Sequence, residues 1–307
     1  MKEDVMTEPK NVPQTKGNKL ADPQTATIDP ATQEMIQHAH DLGIETAFDR
    51  AVAMKSCNIG TQGTCCKNCG MGPCRLPLPK SGIEDEDTRK GICGATPNTI
   101  AARNFIRMIA GGAAAHSDHG RSVAEVFLSA ARKETDAYRI KDTRKLVEVA
   151  KHLGIPTKVE VNGKRLDRDL DEIALEVGKK ALNEWGKPEG ELLFAKRAPE
   201  NRYQIWKKMG VIPRNIDREI VEIMHRTHIG VDQDYRNLMK QGTRAAIADG
   251  WGGSMLATEL QDILFGTPYP VASEANLGVL NEDMVNIVIH GHEPVLSEMI
   301  VAVTQST

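Results

Sequence analysis

The sequence predicts a mainly α-helical amino-terminal domain, followed by the first strand and helix of an incomplete α/β domain. Aromatic residues make up only 4% of the 307 residues, so a core must be built mainly from Ala, aliphatic residues and the 12 Met. Such a composition is commoner in packed helices than in β-sandwiches. Apolar residues recur at helical spacing along most of the chain. Near the carboxyl end, the apolar run over residues 285–289 is typical of a buried strand.

The first part of the chain is predicted as a tail that leads into helices. Residues 1–30 are rich in Lys, Pro, Gln and Thr, and we predict that they form a mobile tail. A helical domain is predicted over residues 31–268. Its first helix, ATQEMIQHAHDLG, has apolar positions at helical spacing and Gly43 as its stop. A long helix is predicted over TPNTIAARNFIRMIAGGAAAHSDHGRSVAEVFLSAARKE, with Thr96 as N-cap before Pro97.

Four more helices are predicted further along this domain. The patterns KLVEVAKHLGI and LDEIALEVGKKALNEWG, within residues 140–186, are joined by a short polar stretch that contains Gly163. A turn-rich region is then predicted up to Pro213. The patterns IDREIVEIMHRTHIG and DYRNLMKQGTRAAIADG follow, and we expect Gly230 and Gly250 to end these two helices.

Residues 269–307 differ in character from the helical domain. Pro268 and Pro270 mark the boundary, and a strand over residues 285–289, a tight HGH turn and a helix from about Pro294 are predicted after it. A strand, a loop and a helix form the opening unit of a parallel α/β sheet. One such unit cannot cover the faces of a sheet, so we expect that the chain is truncated or is completed by another polypeptide.

The overall composition argues against several classes of partner. Lys and Arg number 39 against 42 Asp and Glu, a net charge of −3, so nucleic acid is not an expected partner. No stretch approaches the roughly 18 apolar residues that a membrane-spanning helix needs, and the start, MKEDVMTEPK, has no apolar segment. A cytoplasmic location is therefore expected.

The cysteines are concentrated in one short part of the chain. All six lie within 37 residues: Cys57, Cys65, Cys66, Cys69, Cys74 and Cys93. A disulfide framework is disfavoured because such frameworks belong to small secreted domains. A structural zinc site is a second alternative, with Cys66 and Cys69 as half of the ligands and Cys74 or Cys93 to complete it, but it leaves thiols unused. The glycine-rich segment SCNIGTQGTCCKNCGMGPCRLP favours an iron–sulfur cluster, whose sulfides accept backbone N–H bonds.

The six thiols divide into a set of four and a pair. Adjacent Cα atoms lie about 3.8 Å apart, so Cys65 and Cys66 cannot easily bind the same small cluster. A complete set for one [4Fe–4S] cluster is formed by the cysteines after this point: Cys66, Cys69, Cys74 and Cys93. The remaining pair, Cys57 and Cys65, becomes a full set if a second copy of the chain contributes the same two thiols across a two-fold axis. The cysteine count thus predicts a homodimer bridged by a cluster.

Several segments resemble a known family. CNIGTQGTCCKNCGMGPCRLP, KGICGATPNTIAARN, AAAHSDHG, DILFGTPYPVASEANLGVL and VNIVIHGHEPVLSEMI resemble the amino-terminal half of the anaerobic nickel–iron carbon monoxide dehydrogenases, over about residues 47–303. The resemblance implies a helical domain followed by Rossmann-like α/β domains, the first of which would begin at residue 269. It also implies reversible oxidation of CO with water to CO2, two protons and two electrons, with the electrons leaving through [4Fe–4S] clusters.

The resemblance implies a role for each cysteine. Cys57 and Cys65 resemble the pair that binds a cluster shared by the dimer. The other four resemble the set that holds a relay cluster, one per subunit: Cys66, Cys69, Cys74 and Cys93. His292, in the HGHEP turn, resembles the single His ligand of the nickel–iron–sulfur active cluster. The chain has no cysteine after Cys93 to supply the other ligands, so this chain alone is expected to lack the active cluster.

A pair of histidines on the long predicted helix resembles part of the family's proton path. His116 and His119 are three residues apart and would share a helix face, like the first positions of a ladder of histidines that carries protons from the active cluster. The next positions are Ser122 and Glu125, and Glu relays protons less readily near neutral pH. The alternative is a surface or packing pair. No role is assigned to four other histidines: His38, His40, His225 and His228.

The resemblance also implies partners, and other functions remain open. The implied partners are a second copy of the chain, a ferredoxin-like electron acceptor, and an acetyl-CoA synthase or a hydrogenase. One alternative is a non-catalytic iron–sulfur module that serves electron transfer or assembly. Another is a relative of the hybrid-cluster (hydroxylamine reductase) family, whose cysteine motif lacks the adjacent pair Cys65 and Cys66.

Single cysteine substitutions should separate the two predicted clusters. The division predicts about six irons per chain, four in the relay cluster and half of a shared four. We expect Cys57→Ser or Cys65→Ser to leave about four irons and to weaken the dimer, and Cys69→Ser to leave about two and to spare the dimer. Anaerobic iron analysis and size-exclusion chromatography measure both properties. Loss of both centres from one substitution would contradict the division.

Overall fold

A computed structural model of the chain describes residues 20–54, 57–79, 87–270 and 294–306, together with Val285 and Ile287. The described residues are mostly helical, as the sequence predicts. The chain divides into two compact units, Met1–Gln62 and Gly63–Thr307. None of the described helices is both long and apolar enough to span a membrane.

The described residues of the amino-terminal unit form four short helices. They are α1 (Pro23–Ala26), α2 (Pro30–Asp41), α3 (Ala47–Ala53) and α4 (Asn58–Thr61). Asp49 is 1% exposed and completes a capping box with Thr46 at the start of α3. Its carboxylate also accepts a hydrogen bond from the Ala21 N–H at 2.8 Å and lies 2.8 Å from His40 Nε2. Burial would raise the pKa of Asp49, but these donors hold it below its usual range.

The larger unit contains the long helix and two small hairpins. Its strands are β1 (Cys65–Cys66), β2 (Cys74–Arg75), β3 (Lys158–Val161) and β4 (Lys164–Asp167). Its α-helices are α5 (Pro97–Ala131), α6 (Thr143–His152), α7 (Leu170–Gly186), α8 (Glu200–Met209), α9 (Ile216–Arg226), α10 (Tyr235–Ala248), α11 (Met255–Phe265) and α12 (Pro294–Ser306). A 3₁₀-helix spans Leu193–Arg197 and a π-helical segment spans Asp249–Ser254. Both hairpins are antiparallel.

Helix α5 forms the centre of this unit. It begins as the sequence predicts. The Thr96 side chain accepts a hydrogen bond from the Thr99 N–H at 3.3 Å, and Pro97 is the first residue of the helix. It packs against α7, α9, α10 and α11. The main core includes Phe127, Trp185 and Phe194, each fully buried. Burying such side chains stabilises the fold by about 1.5–3 kcal/mol each.

Two helix ends and two elements differ from the sequence-based expectation. Helix α9 ends at Arg226, before Gly230, and α10 continues through Gly250 by way of the π-helical segment into α11. Gly250 therefore does not end a helix, because the packed helix α5 supports the continued turn. The region predicted as turns contains α8, which buries no residue and so has little apolar periodicity. The polar stretch around Gly163 is the β3–β4 hairpin, whose Asn162-Gly163 turn matches a known hairpin signal.

The carboxyl-terminal prediction is confirmed only for its helix, which is α12. The predicted strand, the HGH turn and His292 lie outside the described residues, apart from Val285 and Ile287. These two are exposed and belong to no strand. Residues 1–19 of the predicted tail also lie outside the described residues. The domain boundaries at residues 30 and 268 stay predictions.

Two glycines of α5 should respond to the same substitution in opposite ways. A Cβ at Gly120 would lie 2.7 Å from Cε2 of the buried Trp185 ring, so we expect Gly120→Ala to lower the free energy of unfolding by about 1–3 kcal/mol. Gly111 has no atom within 4 Å of that position, so Gly111→Ala should raise this free energy by about 0.5–1 kcal/mol. Urea unfolding followed by circular dichroism measures both. Equal stability of the two variants would contradict the packing described.

Candidate metal centre

Four cysteines line one pocket in the larger unit. The β1–β2 pairing places Cys66 opposite Cys74, and Cys69 lies on the loop between the two strands. Cys93, distant in sequence, lines the same pocket from the segment that leads into α5. All four are free thiols. The structure therefore brings together the four residues predicted as one ligand set.

The backbone passes close to these thiols at two glycines. A Cβ at Gly91 would lie 3.2 Å from Cys74 Cβ and 3.3 Å from its Sγ. A Cβ at Gly72 would lie 3.0 Å from the Cys66 carbonyl oxygen. A side chain at Gly91 would therefore press on the Cys74 side chain, which would have to shift by a few tenths of an ångström.

Hydrogen bonds from distant segments hold the segment that carries Cys93. Gln233 Nε2 donates to the Cys93 carbonyl oxygen at 2.8 Å, and Thr99 Oγ1 donates to the Gln233 carbonyl oxygen at 2.7 Å. The Gly91 N–H donates to the Ala95 carbonyl oxygen at 2.8 Å. The residues between α9 and α10 thus fix the fourth thiol relative to α5.

Two arginines of α5 lie beside the pocket. Arg103 is 1% exposed, and its Nη1 donates to Cys93 Sγ at 3.5 Å. Burial opposes ionisation of the Cys93 thiol, but N–H groups of Arg103 and Ala95 lower its pKa below its ordinary value. Burial lowers the pKa of the Arg107 guanidinium, and the neighbouring Cys66 opposes this shift. The surroundings of Cys93 therefore favour its thiolate form.

Four cysteines that line one pocket can form the ligand set of a multi-iron cluster. Among the residues that the structure describes, no three His, Cys, Asp or Glu side chains converge closely enough to hold one metal ion. In a four-iron cluster each thiolate binds a different iron, so the four sulfurs surround a volume. Tetrahedral zinc would require them to meet at one point.

The remaining pair of cysteines lies outside this pocket lining. Cys65 neighbours Cys66 on β1, and neighbouring side chains of a strand point to opposite faces. Asn104 Nδ2 anchors this strand by donating to the carbonyl oxygens of Cys65 at 3.1 Å and Gly63 at 2.8 Å. Cys57 is exposed and precedes α4 in the amino-terminal unit. A cluster shared through Cys57 and Cys65 stays a prediction.

The predicted proton-relay residues lie on α5. His116 Nδ1 is 2.7 Å from Oδ1 of Asp249, the first residue of the π-helical segment. His119 is partly buried one turn further along, and Ser122 and Glu125 are exposed. No sequence signal could have identified Asp249, because it lies 133 residues from His116 and only the packing of the π-helical segment brings the two together.

The other histidines have simpler surroundings. His40 Nε2 lies 2.8 Å from the buried carboxylate of Asp49. The side chains of His38, His225 and His228 are exposed. His292 lies outside the described residues.

A pocket lined by four cysteines is typical of proteins that bind an iron–sulfur cluster. A family model described as the Prismane/CO dehydrogenase family matches residues 64–307. The chain therefore belongs to the Prismane/CO dehydrogenase family, which includes oxidoreductases named carbon monoxide dehydrogenase.

Individual relatives agree with this membership. "Carbon monoxide dehydrogenase 1" of Methanosarcina acetivorans is 51% identical over 277 residues, which cover 90% of this chain and 42% of that protein. "Carbon monoxide dehydrogenase/acetyl-CoA synthase subunit beta" of Moorella thermoacetica is 43% identical over 279 residues, which cover 90% of this chain and 39% of that protein. A structure of carbon monoxide dehydrogenase from Thermococcus sp. AM4 matches with a TM-score of 0.80 and 47% identity, over 93% of this chain and 43% of that one. The chain thus spans about two fifths of the length of these relatives.

The close approach at Gly91 gives a direct test of the pocket. We expect Gly91→Ala to displace the Cys74 sulfur and to remove up to about four irons per chain from reconstituted protein, with an unchanged far-ultraviolet circular dichroism spectrum. Gly70→Ala is the matched control, because a Cβ at Gly70 has no atom within 4 Å. Anaerobic iron and sulfide analysis measures the effect. Full iron content in Gly91→Ala would show that the Cys74 sulfur is not displaced by a methyl group at this position.

Proposed function

We propose that this chain provides the electron-relay part of an anaerobic nickel–iron carbon monoxide dehydrogenase. The enzyme would oxidise CO with water to CO2, two protons and two electrons, in a reversible reaction. The observation that carries this proposal is the pocket of four free thiols beside a buried arginine, in a chain 51% identical to a carbon monoxide dehydrogenase.

Cys66, Cys69, Cys74 and Cys93 would hold the relay [4Fe–4S] cluster, one per subunit. Such a group, when bound, accepts and donates single electrons. The guanidinium groups of Arg103 and Arg107, beside Cys93 and Cys66, would stabilise its negative charge. Asn68 Nδ2, which lines the pocket and is buried without a hydrogen-bond partner among the described residues, would donate to a sulfide.

Cys57 and Cys65 would bind a second [4Fe–4S] cluster together with the same residues of another copy, so we propose a homodimer. The placement of Cys65 on a strand next to Cys66, with side chains that alternate in direction, supports separate clusters for the two. His292 would be one ligand of a nickel–iron–sulfur cluster. The chain has no cysteine after Cys93, so the other ligands of that cluster would come from outside these 307 residues.

His116 and His119 would carry protons away from the reaction. An ionised Asp249 accepts a hydrogen bond from His116 Nδ1–H, which leaves Nε2 as the proton acceptor. The carboxylate also stabilises the imidazolium after the proton arrives. Ser122 and Glu125 are exposed, so beyond His119 the proton would pass to water.

A ferredoxin-like protein is the proposed electron acceptor. Association with an acetyl-CoA synthase is supported by the name of the Moorella relative, and a hydrogenase is the other proposed partner. A second candidate function is a non-catalytic electron-transfer or assembly module. The observation in its favour is that the four thiols for the relay cluster line one pocket, and such a module needs no further ligand set.

Carbon monoxide oxidation distinguishes the two functions. We expect the nickel-reconstituted 307-residue chain to give no CO-dependent reduction of methyl viologen, because a nickel–iron cluster needs several thiolates besides His292. The same chain extended by the carboxyl-terminal segment of its relatives should reduce the dye. His292→Ala in the extended protein is the control and should abolish activity. An inactive extended protein that carries all its clusters would favour the electron-transfer module.

A further inference from the structure

Helix α5 presents two guanidinium groups to the thiol pocket, one turn apart. Arg103 is fully enclosed, and Arg107 lies four residues further along, close enough to Cys66 to interact electrostatically with it. In the described part of the chain, neither arginine forms an ion pair with a carboxylate. A buried cation without an anion is unfavourable, so Arg103 would favour a negatively charged group bound in the pocket.

The Arg103 side chain is held in one position by two hydrogen bonds. Its Nη1 donates to Cys93 Sγ at 3.5 Å and its Nη2 donates to the Asp232 carbonyl oxygen at 2.8 Å. The Asp232 carboxylate is itself fixed by Arg226, at 2.6 Å and 3.1 Å. The next residue, Gln233, donates to the Cys93 carbonyl oxygen. One segment therefore positions both the cation and the sulfur that it contacts.

We propose that Arg103 sets the reduction potential of the cluster bound at these cysteines and holds that potential high. This rests on the proposed function, since it requires a [4Fe–4S] cluster in the pocket. One-electron reduction, with dithionite as the electron donor and no proton transfer, makes the centre one charge unit more negative. A nearby positive charge and an N–H bond to a ligand sulfur stabilise the reduced form more than the oxidised form.

Arg107 has a different set of contacts. Its Nε donates to Thr227 Oγ1 at 2.8 Å and its Nη2 points to the Met224 carbonyl oxygen at 3.4 Å. These donors bind protein oxygens, so Arg107 contributes its charge but no N–H bond to sulfur. The potential should therefore depend more strongly on Arg103 than on Arg107.

Redox titration of the cluster-loaded full chain, monitored by electron paramagnetic resonance, tests this role. We expect Arg103→Met to shift the equilibrium constant for reduction by about tenfold, which lowers the midpoint potential by about 59 mV. Arg103→Lys keeps the positive charge but loses the planar guanidinium group. The midpoint potential of the cluster in this variant should therefore lie between those of Arg103→Met and the unmodified chain. Arg121→Met is the control, because Arg121 lies on the same helix and pairs with Asp217. It should leave the potential unchanged.

The outcomes separate this role from the proposed function. An unmodified chain without a four-iron signal would overturn the cluster assignment itself. A normal signal and iron content in Arg103→Met with an unchanged potential would overturn only the role of Arg103. If Arg103→Met does not assemble the cluster, the midpoint potential of Arg103→Lys is the test of the role of Arg103. A potential in that variant equal to that of the unmodified chain would likewise overturn the proposal.

Discussion

The packing of helix α5 is the constraint on which the larger unit depends. The helix has 35 residues and is about 50 Å long, so it reaches from the thiol pocket to the main core. Near its start, Asn104 and Arg103 contact the segments that carry Cys65 and Cys93. Near its end, Phe127 is fully buried against α7 and its neighbours. The same helix therefore positions the segments that carry the thiols and packs in the main core.

A buried group of charges supports the other side of the pocket. Glu219 of α9 is fully buried and accepts hydrogen bonds from Arg214, from Gln241 at 2.8 Å and from Arg244 at 2.7 Å. Burial would raise the pKa of Glu219, but the arginine donors hold it below its ordinary value. These contacts join α9 to α10, and the segment between them carries Thr227 and Gln233. The polar network thus stabilises the wall that faces the cysteines.

Much of the helical architecture could be predicted because local signals and tertiary packing agree. The start of α5 is an example, since Thr96 and Pro97 favour a helix start in any context. Local signals failed where packing overrides them. Gly250 is typical of a helix end, yet the chain continues through a π-helical segment packed on α5. Helix α8 buries none of its residues, so its sequence carries little of the apolar periodicity that reveals a helix.

The sequence by itself predicted the ligand chemistry and its division into two sets of thiols. Six cysteines with this spacing indicate a cluster, and the adjacent Cys65 and Cys66 indicate two separate ones, because residue type and chain connectivity are local properties. Only the tertiary structure decided which charges surround the thiols. Arg103 meets Asp232, and His116 meets Asp249, through folding that joins residues more than a hundred positions apart. Local patterns carry no information on such pairs, since they form only when the helices pack.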